Sequence, residues 1–178
     1  MQVELVLTGS GDAHVIRNLW PLYLHDVSAF DGRRPNAHGL LADDEQLTSL
    51  AEQGETLAGW WKHPELFFPY LITADGRPAG FDLVAGRGGF PDAIDAEVVV
   101  HEFFVLHAYR GRGVGEQAAL QGFERHPGRW EVVTYPGHER AIAFWRRVIS
   151  GASAGVFTEG EEDHPWGRKV AFRFDNTA

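Results

Sequence analysis

Apolar and polar positions along this chain follow two rhythms, and their succession outlines the fold. Val3 to Leu7 reads as a first strand, which Gly9-Ser10-Gly11-Asp12 breaks while supplying a helix N-cap. Val15, Ile16, Leu19, Leu22 and Tyr23 then recur at helical spacing, with Pro21 predicting a kink. The stretch from Asp31 to His38, with Gly32, Pro35 and Asn36, is a predicted loop in a position to border a binding site. A second helix is predicted from about Asp43 to Leu57. Leu66 to Thr73 and Ala79 to Ala85 flank Asp75-Gly76, the pattern of a β-hairpin, and Gly86 to Asp95 is a glycine-rich connector.

Glu97 to Leu106 is a nearly continuous β-branched and aromatic run, as expected of a central strand buried on both faces. A helix from Val114 to about Arg125 ends before Pro127-Gly128, and Trp130 to Tyr135 follows as a strand, completing a βαβ unit. From about His138 to Ile149, Ala141, Phe144, Trp145 and Val148 form an apolar helical face. Val156 to Thr158, an acidic loop from Glu159 to Asp163, and a strand through Val170-Ala171-Phe172-Arg173-Phe174 close the chain. The order predicts one α/β (α+β) domain over residues 1–178: a mixed, mostly antiparallel sheet of about seven strands flanked by about four helices, with only the central βαβ unit parallel.

Composition narrows the chemistry. With 178 residues, 44% of them hydrophobic, the chain suffices for one sizeable core. The absence of cysteine removes disulfides, thiolate nucleophiles and cysteine metal sites, in agreement with a reducing compartment. No cationic segment followed by an apolar one opens the chain, and no window approaches the roughly 18 apolar residues of a membrane span, so a cytoplasmic protein is expected. The net charge of −9 argues against nucleic-acid and anionic-membrane partners and leaves room for a cationic one. Histidines are scattered without metal-ligand spacing, so no metal is expected.

The most informative run is Glu102 to Glu116, where the buried strand delivers the chain into Arg110-Gly111-Arg112-Gly113-Val114-Gly115 at a helix start. A helix N-terminus leaves backbone N–H groups without partners at the positive end of its dipole, which suits a phosphate. Gly113 and Gly115 lack the Cβ that would block close approach, and Arg110 and Arg112 offer charge-assisted bonds. The lysine and hydroxyl of a nucleoside-triphosphate P-loop are missing, and the glycines fall too late for a dinucleotide fold.

Arg110-x-x-Gly113-x-Gly115 at the end of such a strand resembles the acyl-CoA pyrophosphate loop, Gln/Arg-x-x-Gly-x-Gly/Ala, of the GNAT superfamily of N-acyltransferases. His138-Glu139-Arg140-Ala141-Ile142-Ala143-Phe144-Trp145 is similar to that superfamily's Asn-x-x-Ala-x-x-Phe-Tyr helix. Glu102-Phe103-Phe104-Val105, Trp130-Glu131-Val132 and Phe144-Trp145 look like a subgroup of predicted acetyltransferases. The resemblance covers essentially the whole chain. It implies acetyl-CoA as acyl donor and transfer to a primary amine of a small molecule, peptide or protein by direct attack in a ternary complex. It also implies cofactor contacts from Phe104, Val105, Arg110, Gly111, Arg112, Gly113, Val114, Gly115, His138, Phe144 and Trp145, with the backbone of Phe103, Phe104 and Val105 meeting the pantetheine and acetyl groups. Two departures stand out: His138 replaces the usual asparagine, and Trp145 replaces the tyrosine that protonates the leaving thiolate in many members. They motivate an alternative, a non-catalytic acyl-CoA-binding or sensing module on the same fold.

Attack on a thioester needs a neutral amine, hence a base. Glu102 is the first candidate, because a carboxylate in a strand of valines and phenylalanines is desolvated, paired or facing a cavity. His101 competes, pointing to the opposite face unless a bulge intervenes, and Glu131 is a third candidate. Tyr135 or water is available to protonate the thiolate. The acidic run Glu159 to Asp163 either attracts a cationic amine or is a solvated loop. The aromatics Trp60, Trp61, Phe67, Phe68 and Tyr70 either wall a cleft or pack as core. A homodimer through an exposed sheet edge is compatible with the sequence.

Overall fold

The computed structural model describes residues 1–89, 95–164 and 167–177. Its seven strands form a single sheet in the order β1-β2-β3-β4-β5-β7-β6. They are β1 (Val3–Leu7), β2 (Phe67–Ala74), β3 (Arg77–Gly86), β4 (Val98–Val105), β5 (Arg129–Thr134), β6 (Phe157–His164) and β7 (Gly167–Asp175). The helices are α1 (Ala13–Asp31), α2 (Leu50–Glu55), α3 (Val114–Arg125) and α4 (Glu139–Ala152). Only β4 and β5 run parallel, joined by α3, and every other neighbouring pair is antiparallel. The mixed sheet and element order are those predicted from the periodicities.

Each face of the sheet carries its own core. On one, α3 and α4 bury Val114, Ala118, Phe123, Trp145, Val148 and Ile149 against Trp130, Val132 and Phe172. On the other, α1 lays Ile16, Leu19, Tyr23, Leu24 and Val27 over Phe81, Leu83 and Phe104. The long face of α1 survives Pro21, which lies inside the helix, and the helix ends on Gly32 at φ 74°. That left-handed conformation is cheap only for glycine, and it turns the chain sharply into the following loop. Between β2 and β3, Asp75 and Gly76 adopt φ values of 49° and 73°, the two-residue hairpin turn their sequence implies.

Two local expectations are corrected and one left open is decided. The helix predicted from Asp43 to Leu57 is confined to Leu50–Glu55 and passes into a 3-10 helix over Thr56–Trp61. Ser49 and Glu52 form a reciprocal capping box that fixes the start at Leu50. Upstream, Asn36 occupies its side chain with four loop bonds, accepting from the His38 and Leu40 amides and donating to the Asp44 and Leu47 carbonyls. The acidic run is strand rather than loop, because Glu159 to Asp163 lie within β6 opposite β7. The aromatic group divides between faces: Trp60 and Phe67 pack with α1, whereas Phe68 and Tyr70 pack with the α3 side. The Gly86 to Asp95 connector lies partly outside the described residues.

Candidate active site

The sheet opens in the middle. β4 and β5 pair at Val98–Trp130, Val99–Glu131 and Val100–Val132, and beyond Val100 the register ends although both strands continue. From His101 to Val105, β4 therefore has β3 on one side and a fork on the other. Two cavities enter that fork. The first, of about 1000 Å³, runs along Phe103, Phe104 and Val105 to the Gly111–Glu116 turn and the start of α4. The second, of about 530 Å³, is bounded by His101, Glu102, Tyr135 and Lys169. Tyr23, Val27, Phe103, His138, Ala141 and Trp145 line both.

The turn that ends the first cavity gets its shape from two glycines at positive φ, Gly111 at 69° and Gly113 at 78°. Gly113 caps α3 without any side-chain bond, so the N–H groups of the first helical turn face an anion or water. Gly115 serves packing: a Cβ there would lie 3.4 Å from both Val105 and Phe144. The arginines also divide. Arg110 is turned inward, donating from Nε to the Val105 carbonyl at 2.7 Å and pairing with Asp26, and its guanidinium stacks over Phe104. It therefore braces the turn against β4 and α1 while still bordering the first cavity. Arg112 is exposed.

A bulge decides what the second cavity contains. Leu83 pairs with Glu102 and Val84 with Val100, leaving His101 as the extra residue of β4. The bulge turns both side chains toward the α1 face. His101 packs beside Trp60, and Glu102 meets Tyr23. The two groups approach at 3.8 Å between Nε2 and Oε1. The alternation that would have sent them to opposite faces is thus broken.

The Tyr23 hydroxyl donates to Glu102 Oε2. Burial pushes the Glu102 carboxyl up to about 8, with the Lys169 ammonium opposing. Burial drives His101 down to about 4, so its imidazole is neutral at neutral pH. Tyr135 is pushed up to about 12, by burial first and then by the Glu102 charge. A carboxyl with a proton affinity near physiological pH, facing a cavity, is suited to accept a proton.

Glu131 lies elsewhere. It lines neither cavity, and its buried carboxylate is bound by Arg173 at 2.6 Å and approached by His164 at 3.8 Å. The arrangement makes Glu131 a structural ion-pair partner between β5, β6 and β7. The acidic run of β6 is similarly engaged: Glu159 binds Arg146, Glu161 and Asp163 bind Arg168, and Glu162 binds Arg173. Each of those carboxylates is held in an ion pair on its own sheet edge or with α4, and none lines either cavity.

Trp145 is buried between Phe103, Phe123 and Phe144 and forms a wall common to both cavities. His138 caps the start of α4 and stacks on Phe30 at 4.1 Å, with burial and the Arg110 charge lowering its proton affinity. The loop after α1 does border the site, through Gly32, Arg33 and Asp43. Sequence reasoning missed Tyr23 and Lys169. Tyr23 was legible only as a core position of α1, and Lys169 only as a charge preceding an apolar run. Among the described residues, no cluster of histidine and carboxylates is arranged to hold a metal, and no helix is long and apolar enough to cross a membrane.

Residues 28–149 match the profile of the Acetyltransferase (GNAT) family. No curated protein matches the chain in sequence. Solved structures share the fold over nearly the full length. An acetyltransferase from Thermus thermophilus superposes with a TM-score of 0.66 at 18% identity, covering 98% of this chain and 97% of its own. The aminoglycoside acetyltransferase AAC(6')-Ib, solved with coenzyme A and kanamycin, gives 0.67 at 18% identity over 99% and 96%. The ribosomal-protein-S5-alanine acetyltransferase of Vibrio fischeri gives 0.66 at 16% identity over 99% and 94%.

Proposed function

Because the chain belongs to the acetyltransferase (GNAT) family, we propose that it is an acetyl-CoA-dependent N-acetyltransferase acting on a primary amine, with the fork between β4 and β5 as its reaction centre. The observation that carries this reading is the meeting of two cavities at Phe103 and Trp145, one ending in a phosphate-binding helix start and the other holding Glu102. The first cavity fits a long phosphorylated thiol ester. Its anion end is built of backbone N–H groups that a glycine turn leaves accessible, and its length follows the edge of β4 that β5 has released. Acetyl-CoA supplies the activated acetyl group.

The chain's own residues do the rest. The first turn of α3 holds the pyrophosphate, Arg110 keeps the Gly111–Gly113 turn against Val105, and the β4 edge from Phe103 to Val105 orients the thioester. Phe144, with Gly115 beneath it, and Trp145 wall the slot. The amine enters the second cavity, and Glu102 takes its proton as the nitrogen forms the new bond to the acyl carbon and the carbon–sulfur bond breaks. The thiolate leaves on its own account or takes a proton from Tyr135, whose hydroxyl stays protonated at neutral pH.

Incubating the protein with acetyl-CoA and a broad amine panel tests the reading through release of free thiol. Saturable release that depends on the amine is the expected result. Tight coenzyme binding with no thiol release across the panel would establish instead a non-catalytic acyl-CoA-binding module.

A further inference from the structure

The second cavity contains one charge that proton transfer leaves unused. Lys169 heads the apolar run of β7, is only 4% exposed and lines the cavity wall. Its Nζ lies 3.4 Å from the centre of the Tyr135 ring. No hydrogen bond or ion pair engages that ammonium among the described residues. The cavity's other charges each have an ion-pair or hydrogen-bond partner. Asp31 pairs with Arg33 at 3.3 Å, Arg33 reaches Asp43 at 3.6 Å, and Glu102 accepts from Tyr23.

Glu102 and Asp31 attract this ammonium only through space, and a buried ammonium without a hydrogen-bonded or contacting partner is costly, a ring face compensating only part of that cost. Its presence on a cavity wall points to an anion that arrives with the ligand. The same cavity also holds the proton-accepting carboxyl, so its two functional ends match a molecule with an amine and an anion. We propose that Lys169 binds an anionic group of the acceptor, which is therefore a small amine carrying a carboxylate or comparable anion, as a free amino acid does. This rests on reading the second cavity as the acceptor site. Its volume of about 530 Å³ is within the range of small-molecule sites. Lys169 is a specificity-determining residue here, distinct from the base.

A rival role for Lys169 is to tune Glu102 through space. That role would alter every acceptor alike, whereas anion recognition alters only those bearing the anion. Titration calorimetry on the protein, with and without coenzyme A, distinguishes them. The probes are the L-amino acids, their carboxamides, which keep the amine and lack the anion, taurine and phosphoethanolamine, the last two separating carboxylate from sulfonate and phosphate.

At least one amino acid, or one of the two other anionic amines, is expected to bind about tenfold tighter than its counterpart without the anion (the carboxamide, or ethylamine or ethanolamine), the worth of one charged hydrogen bond. Lys169→Gln should abolish that preference, and Lys169→Arg should retain it. The proposal is overturned if the amines lacking the anion bind as tightly as their anionic counterparts, if the preference survives in a folded Lys169→Gln, or if no anionic amine binds. The wild-type contrast decides by itself should Lys169→Gln fail to fold. Binding without thiol release would remove the acetyltransferase reading while leaving the anion site intact.

Discussion

The two cavities that meet at Trp145 are made of different materials. The larger takes its shape from backbone: a helix start, two glycines at positive φ and a strand edge that has lost its neighbour. The smaller is furnished with ionisable side chains from four distant segments: Tyr23 of α1, His101 and Glu102 of β4, Tyr135 after β5, and Lys169 of β7. Backbone donors are fixed by the fold and serve any chain that carries the turn. Side chains brought together across the sheet can be exchanged without disturbing it. One fold can thus keep its larger cavity while its smaller one changes. Substitutions should accordingly separate the two cavities, each moving one property and sparing the other.

The largest separation is expected at Glu102. Glu102→Gln preserves shape and removes the base, so kcat should fall on the order of a hundredfold or more. Coenzyme affinity, set in the other cavity, should stay within a factor of about two, because the Gly111–Gly115 turn is untouched. The wild-type rate should rise with pH through about 8, since Glu102 must be ionised to accept a proton and burial holds it protonated below that value. An unchanged profile in Glu102→Gln would remove this residue from the chemistry.

Gly113→Val probes the opposite cavity. Forcing a β-branched residue into φ 78° costs about 1–2 kcal/mol and distorts the turn that aims the α3 amides. Acetyl-CoA binding should weaken about tenfold, while the inflection near pH 8 remains where it was. Affinity unchanged in a folded variant would take the helix start out of the donor site.

The same contrast explains what the sequence made legible. Strand and helix order follow from local periodicity, and the glycine turn at the start of α3 is written in six consecutive residues, so the fold and that turn could be read directly. The smaller cavity is a product of long-range register. The bulge at His101 exists only in the pairing of β4 with β3, and without it His101 and Glu102 would have been assigned to opposite faces. Lys169 reaches Tyr135 because β7 lies beside β5, a neighbour relation no local pattern encodes. The acidic run misled for a related reason: its partners, Arg146, Arg168 and Arg173, lie on α4 and β7. Arg110 carries the family motif, yet its bonds to Val105 and Asp26 depend on where α1 packs.

A smaller effect should follow from Tyr23→Phe. The lost hydroxyl donates to the Glu102 carboxyl, and a donor favours the ionised form. Its removal should move the rate inflection upward by about one unit, with acetyl-CoA affinity unaffected. A downward shift, or none, would mean that the hydroxyl only packs.

The smallest effect on activity, none, is expected from the sheet's other perturbed carboxyl, and it isolates burial from catalysis. Asp82 on β3 is 2% exposed and lines neither cavity. Its Oδ1 has no hydrogen-bond partner among the described residues, and burial pushes its carboxyl up to about 8, as for Glu102. The folded state therefore holds this proton above the ordinary value of 3.8, while the unfolded chain has released it. Stability must fall as pH rises from that value to about 8 and level off beyond. Asp82→Asn removes the titration, so the variant should match the wild type near pH 4 and exceed it at pH 9 by on the order of 1–3 kcal/mol in chemical unfolding. Its pH–rate profile should overlay the wild type, because a raised proton affinity without access to a cavity does no chemistry. A displaced profile in Asp82→Asn would show that the inflection near pH 8 does not belong to Glu102 alone.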